Sequence, residues 1–158
     1  MAFFQRLQDS WFTDWLLGSE SIWTYPTVLT LHTVGLAVLV GASLIIHLRA
    51  LGVGSSVSFA QLSPLRRLIW GGFAVNLITG VLLFITQAAD RVVDPVFYVK
   101  LGCIAAALSL GVVVTRAADG TVPASGHRPG RTRVWAGAAL GLWTVATVAG
   151  RLMAYLSD

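Results

Sequence analysis

From Thr27 to Ile46 the chain runs twenty residues with no charge except any proton that His32 carries. At ~1.5 Å of rise per residue, ~20 apolar residues match the ~30 Å hydrocarbon core of a bilayer. In water this stretch would have to be buried on every side, so it constrains the fold more than any other part of the sequence. The reading is a first transmembrane helix over about residues 23–50, and the other segments are placed against it.

Composition agrees. Of 158 residues, 56% are hydrophobic and only 11% charged, with a mean hydropathy of +0.75, outside the range of soluble domains. Eleven Lys or Arg against seven Asp or Glu give a net charge of +4. The basic residues flank apolar segments, so membrane orientation accounts for them and no nucleic-acid partner is expected. The single Cys103 lies in an apolar segment and cannot form an internal disulfide or a multi-cysteine metal site.

Three further apolar segments predict spans at about residues 68–87, 96–115 and 134–155. The expected fold is therefore all-α: a four-helix transmembrane bundle running up-down-up-down, with residues 21–158 as the transmembrane domain. Residues 1–20 place Phe3, Phe4, Leu7, Trp11, Phe12, Trp15 and Leu16 at helical spacing among polar residues, which predicts one amphipathic helix. It lacks the pattern of a signal peptide. Two placements are open to it, lying in the headgroup layer or packing across the end of the bundle. The stretch 116–133, rich in Gly, Pro, Ala and Arg without periodicity, reads as a loop that includes His127.

Orientation follows from the basic residues. Arg49, Arg66 and Arg67 lie in or beside the first loop, and Arg116, Arg128, Arg131 and Arg133 in the third, so these loops are expected to face the cytoplasm. Both termini then lie on the periplasmic side of a bacterial inner membrane. Small residues at four-residue spacing, Gly137 with Gly141, Ala146 with Gly150 and Ala37 with Gly41, are expected helix contacts within one chain or between copies. The expected partners are the lipid bilayer and either a second copy or a membrane-complex subunit.

Ionisable groups at membrane depth cost roughly 2.5–3.5 kcal/mol on insertion scales and mark sites by default. His32 falls ~9 Å below an outer boundary near Pro26, and Lys100 and Arg151 fall within about two turns of the same boundary on their own helices. Tyr25, His32, Ser43 and His47 share a stripe of the first helix. Asn76, Thr79, Gly80 and Gln87 share one on the second, and Thr144, Thr147, Arg151 and Tyr155 one on the fourth. Thr30 and Thr33 fall off their stripe and are expected to bond to their own helix backbone. The candidate ligand-binding residues are His32, Lys100, Arg151, Gln87, Asn76 and Tyr25, a cationic set suited to a quinone oxygen, a haem propionate, a carboxylate or a lipid phosphate. Four of them have a structural alternative, Lys100 and Arg151 as snorkelling cations or partners of Asp94 and Asp90, and His32 and Asn76 as interhelical hydrogen bonds, while His47 reads as an interfacial residue.

Haem fits the inventory poorly. His32 and His47 share one helix ~22 Å apart and cannot grip one iron, so the second ligand to His32 would have to come from Met153 or another copy. No nucleophilic triad, phosphate-binding glycine loop or metal-ligand cluster appears, so no enzyme activity is assigned. The expected function is a small-ligand-binding or accessory redox subunit with a cationic site in the outer leaflet, with haem or quinone as candidate cofactors. The alternative is a non-catalytic assembly or scaffold subunit of a membrane complex.

The residues also resemble an uncharacterised family of small bacterial four-helix membrane proteins. The likeness rests on Ser21 to Pro26 (SIWTYP), His32, Gly35 and Gly41, and Leu48 to Gly52 (LRALG). It continues through Thr79-Gly80, Phe84, Asp94-Pro95, Phe97, Lys100, Trp143 and the ending AGRLMAY, Ala149 to Tyr155. This chain departs from the family pattern at His47, where an acid is usual, and at Asp94, where Asn-Pro is commoner. The resemblance implies an inner-membrane four-helix protein and no established activity. A looser similarity to cytochrome b561-like and copper-resistance membrane bundles rests on architecture and an early-helix histidine.

Overall fold

The computed structural model describes residues 1–17, 23–54, 56–120 and 130–155. Expectations placed on Glu20, Ser21, Ile22, His127, Arg128, the Tyr155 side chain and Asp158 lie outside the described residues. The fold is all-α. Seven helices are described: α1 (Ala2–Gln8), α2 (Trp11–Leu17), α3 (Thr24–Leu51), α4 (Ser63–Thr86), α5 (Ala88–Arg91), α6 (Pro95–Gly120) and α7 (Gly130–Tyr155). Four of them, α3, α4, α6 and α7, are long and apolar enough to cross a membrane. This is a multi-pass membrane protein built as a helical bundle.

The helices outrun the expected spans. Hydropathy falls where a chain leaves hydrocarbon, but Arg and Ala remain good helix formers. So α6 continues through Arg116 to Gly120 and α7 begins at Gly130, and Arg116, Arg131 and Arg133 sit on helices, not in the expected loop. At the end of α3 the chain stops in a Schellman motif: Val53 donates to the Leu48 carbonyl and Gly52 to that of Arg49, with Gly52 at φ 109°. Ser63 and Pro64 then open α4, a proline being tolerated at a first helical turn.

Residues 1–39 and 69–94 form one compact unit, and 40–68 with 95–158 a second. In the first unit α3 and α4 meet almost backbone to backbone. A Cβ added at Gly72 would stand 2.9 Å from the Leu39 nitrogen and 3.0 Å from the Gly35 carbonyl oxygen. One added at Gly35 would stand 3.1 Å from the Asn76 nitrogen. Hydrocarbon does not drive apolar helices together, so such close contact is what dispersion requires. The expected single N-terminal helix is broken at Asp9-Ser10, residues that favour caps over helix interiors. The Ser10 carbonyl starts α2 by accepting from Thr13 and Asp14, and the Thr13 hydroxyl donates back to the Leu7 carbonyl. One face of this segment is docked: Thr13 and Leu16 are buried, and the Gln8 side-chain oxygen accepts the Ala89 N–H at 3.0 Å, capping α5 from a distance. Phe3, Trp11 and Trp15 remain exposed.

In the second unit the remainder of α3 packs with α6 and α7. Its core holds many small residues, Ala42, Ser43, Ala50, Ala107, Ala136, Ala139, Ala146 and Ala149, around the larger Ile46, His47, Val114, Trp143 and Met153. The expected glycine contacts fall elsewhere. Gly137, Gly141 and Gly41 would each find nothing within 4 Å of an added Cβ, and Ala37 is exposed. The buried face of α7 is Thr132, Ala136, Ala139, Trp143, Ala146, Ala149 and Met153, whose alanines serve where Gly137 and Gly141 were expected. Of the pairs foreseen, only Ala146 with Gly150 lies at a contact.

Candidate functional site

Hydroxyls in the spans mostly satisfy themselves. Thr30, Thr33, Ser109, Thr115, Thr144 and Thr147 each donate to a carbonyl one turn back on their own helix, the fate expected for Thr30 and Thr33. Polar groups that do something else therefore stand out.

The clearest is His32, whose Nδ1 lies 3.0 Å from the Thr79 hydroxyl oxygen across the α3–α4 contact. That hydroxyl also lies 2.7 Å from the Val75 carbonyl, to which it can only donate. One hydrogen serves one bond, so the pattern that satisfies both contacts has His32 Nδ1–H donating to Thr79 and Thr79 donating to Val75. This fixes the ring's tautomer with Nε2 as its basic nitrogen. Gly80 makes room for it: a Cβ there would stand 3.2 Å from His32 Cε1. Asn76, one turn earlier on α4, is buried, and its Oδ1 has no hydrogen-bond partner. His32, Asn76, Thr79 and Gly80 thus form one polar patch within the first unit, the stripe expected for α4.

Other expected site residues are used differently. Gln87 Oε1 accepts from Arg91 Nε at 3.0 Å and Nη2 at 2.6 Å, and Arg91 also pairs with Asp94 at 3.7 Å, so Gln87 braces the α5 turn. Tyr25 is half-buried in the first turn of α3, two turns before His32. Lys100 and Arg151 belong to the second unit. Lys100 lies over Gly150, its Nζ 3.6 Å from where a Cβ would sit, which puts the start of α6 beside the end of α7. Arg151 is exposed, and so are Thr144 and Thr147. The inner stripe expected for these three is displaced by one position, because bulky Trp143 and the alanines take the buried side. Met153, the weak haem-ligand candidate, is buried in the second unit, and no group of three His, Cys, Asp or Glu side chains able to hold a metal occurs among the described residues.

Sequence reasoning missed His47. Expected at the interface, it is 2% exposed, with both ring nitrogens lacking a hydrogen-bond partner. A Cβ on Gly111 would stand 3.7 Å from its Nε2. The signal lay in its phase: His47 follows Ser43 by four residues and Ile46 by one, on the face of α3 that carries Ala42 and Ala50. Trp143 Nε1 is likewise buried without a partner. Comparison with family models, with curated proteins and with solved structures yields no match.

Proposed function

We propose that this protein is a small-ligand-binding subunit of the bacterial inner membrane, with His32 as the residue that meets the ligand. The observation that carries the proposal is the His32–Thr79 hydrogen bond, with Gly80 making room for the ring. A histidine donating through Nδ1 ties α3 to α4 and at the same time has its tautomer set. One held at Nδ1 presents its other nitrogen in a set direction, the arrangement that supports ligating or proton-exchanging histidines. The nearby Asn76 carbonyl oxygen adds a buried acceptor. A polar-headed lipophilic molecule with a hydroxyl or carbonyl, a quinol or quinone, suits this chemistry better than haem, for which no second iron ligand accompanies His32 among the described residues of the first unit. Lys100 and Arg151, in the second unit, are assigned to the outer half of the membrane by sequence depth alone. The family resemblance agrees with a four-helix inner-membrane protein, and the loop charges with both termini outside.

Absorbance and mass spectrometry of an organic extract of the detergent-purified protein test the proposal. A stoichiometric quinone that disappears in His32→Ala and persists in Arg49→Leu supports it. A well-folded protein with no co-purifying molecule favours the scaffold reading, in which Thr79 and Asn76 only tie α3 to α4.

A further inference from the structure

The second unit has a strongly one-sided charge. Arg67, Arg116, Arg131 and Arg133 are exposed, and no carboxylate is found among the unit's described side chains. These arginines share one end. The Arg133 guanidinium reaches within 3.8 Å of where a side chain on Gly52 would begin, joining the start of α7 to the end of α3, and Lys100 over Gly150 puts the far end of α6 at the same level. Arg49 lies over the Phe59 ring at 5.2 Å and donates to the Val57 carbonyl, and Arg131 stacks on Trp135 at 4.9 Å.

Arg133 differs from the others in what lies below it. Arg133, Gly137, Leu140, Thr144 and Thr147 follow one another at spacings of four and three, a single stripe of α7. Between this stripe and α3 runs a groove of about 360 Å³, lined by Val40 and Leu44 on α3 and by Leu140, Trp143, Thr144 and Thr147 on α7. Its lining is almost wholly apolar, and both threonine hydroxyls are turned to their own helix. Gly137 is exposed with nothing near it, leaving the path from Arg133 to the groove unobstructed. Leu140 and Thr144 lie ~10–16 Å along the helix from Arg133, and half a hydrocarbon core is ~15 Å.

We propose that the α3–α7 crevice of this unit is a binding site for one anionic phospholipid, its phosphate on Arg133 and an acyl chain in the groove beneath. Charge and cavity, two separate observations, call for the two ends of one amphipathic molecule, and a basic pocket between spans at the cytoplasmic side suits such headgroups. The site is distinct from the His32 patch and does not depend on its function.

The test is native mass spectrometry of the full-length protein in detergent, equilibrated with equal amounts of phosphatidylglycerol and phosphatidylcholine. Phosphatidylglycerol is expected to be retained in preference. Arg133→Gln should lower that retention roughly fivefold, the value of one basic side chain at an anionic surface, while Arg116→Gln, away from the groove, leaves it unchanged. Thr144→Trp, which fills the groove from an exposed position, should lower retention of both lipids, and circular dichroism confirms that each variant is folded. Equal losses from Arg133→Gln and Arg116→Gln would reveal diffuse surface charge and overturn the site. Indifference to Thr144→Trp, or displacement of the lipid by excess inorganic phosphate, would overturn the acyl-chain part.

Discussion

At the scale of single residues, three side chains carry the argument: His32, Thr79 and His47. Thr79→Val keeps the shape of α4 but removes the hydroxyl that orients His32. It is expected to cost about 1–2 kcal/mol of stability, as the loss of one hydrogen bond within a bundle does, and to reduce ligand retention, with Thr79→Ser restoring both. Thermal unfolding in detergent and the extract assay read the two effects. His47 behaves in the opposite way. Both of its ring nitrogens are buried without partners, a state that costs about 1–3 kcal/mol per group, so His47→Leu is expected to raise the unfolding temperature. A lowered temperature would show that the imidazole holds a partner within the core. His32 was legible in the sequence because a lone imidazole stands in an uncharged run. His47 was not, because nearness to Arg49 looks the same whether the ring faces headgroups or a neighbouring helix.

Among helices, small residues set the contacts, and spacing alone does not say which ones. Gly72 lies under α3 with no room for a methyl group, so Gly72→Ala is expected to destabilise by about 1–3 kcal/mol, the usual cost of overpacking. Gly137→Ala and Gly141→Ala meet only open space and are each expected to be neutral or to stabilise by up to about 1 kcal/mol, through helix propensity alone. Thermal unfolding of the three variants checks the contrast. The four-residue repeat was visible in α7, yet alanines one position away line its core. A glycine pair marks a surface that can be approached closely, and whether a neighbour approaches depends on where Trp143 points. Existence and type of the long helices were legible, because an apolar run of this length has one stable form in a bilayer. Their ends were not: hydropathy reports where hydrocarbon stops, whereas a Schellman glycine or a cap residue stops the helix.

For the molecule as a whole, charge is divided between the two units. The described side chains of the first include Asp9, Asp14, Asp90 and Asp94, and those of the second include Lys100 and seven arginines with no acid. Orientation is read separately, from the basic residues of the first and third loops. On a Cys103→Ala background, a cysteine at Ser58 is expected to be shielded from a membrane-impermeant maleimide in intact cells, and one at Asp9 to be labelled. The reverse pattern would invert the topology and move His32 to the cytoplasmic half. The clasp between Gln8 and Ala89 adds a constraint of timing. Synthesis runs toward the carboxyl end, so Gln8 finds its seat on a turn made 81 residues later, after two hydrophobic segments have emerged. Until that turn emerges, the Gln8 side chain lacks the N–H it accepts from in the finished fold, so closure of the clasp is a late event in the birth of the protein. A chain shortened before Ala88 would leave Gln8 with nothing to clasp.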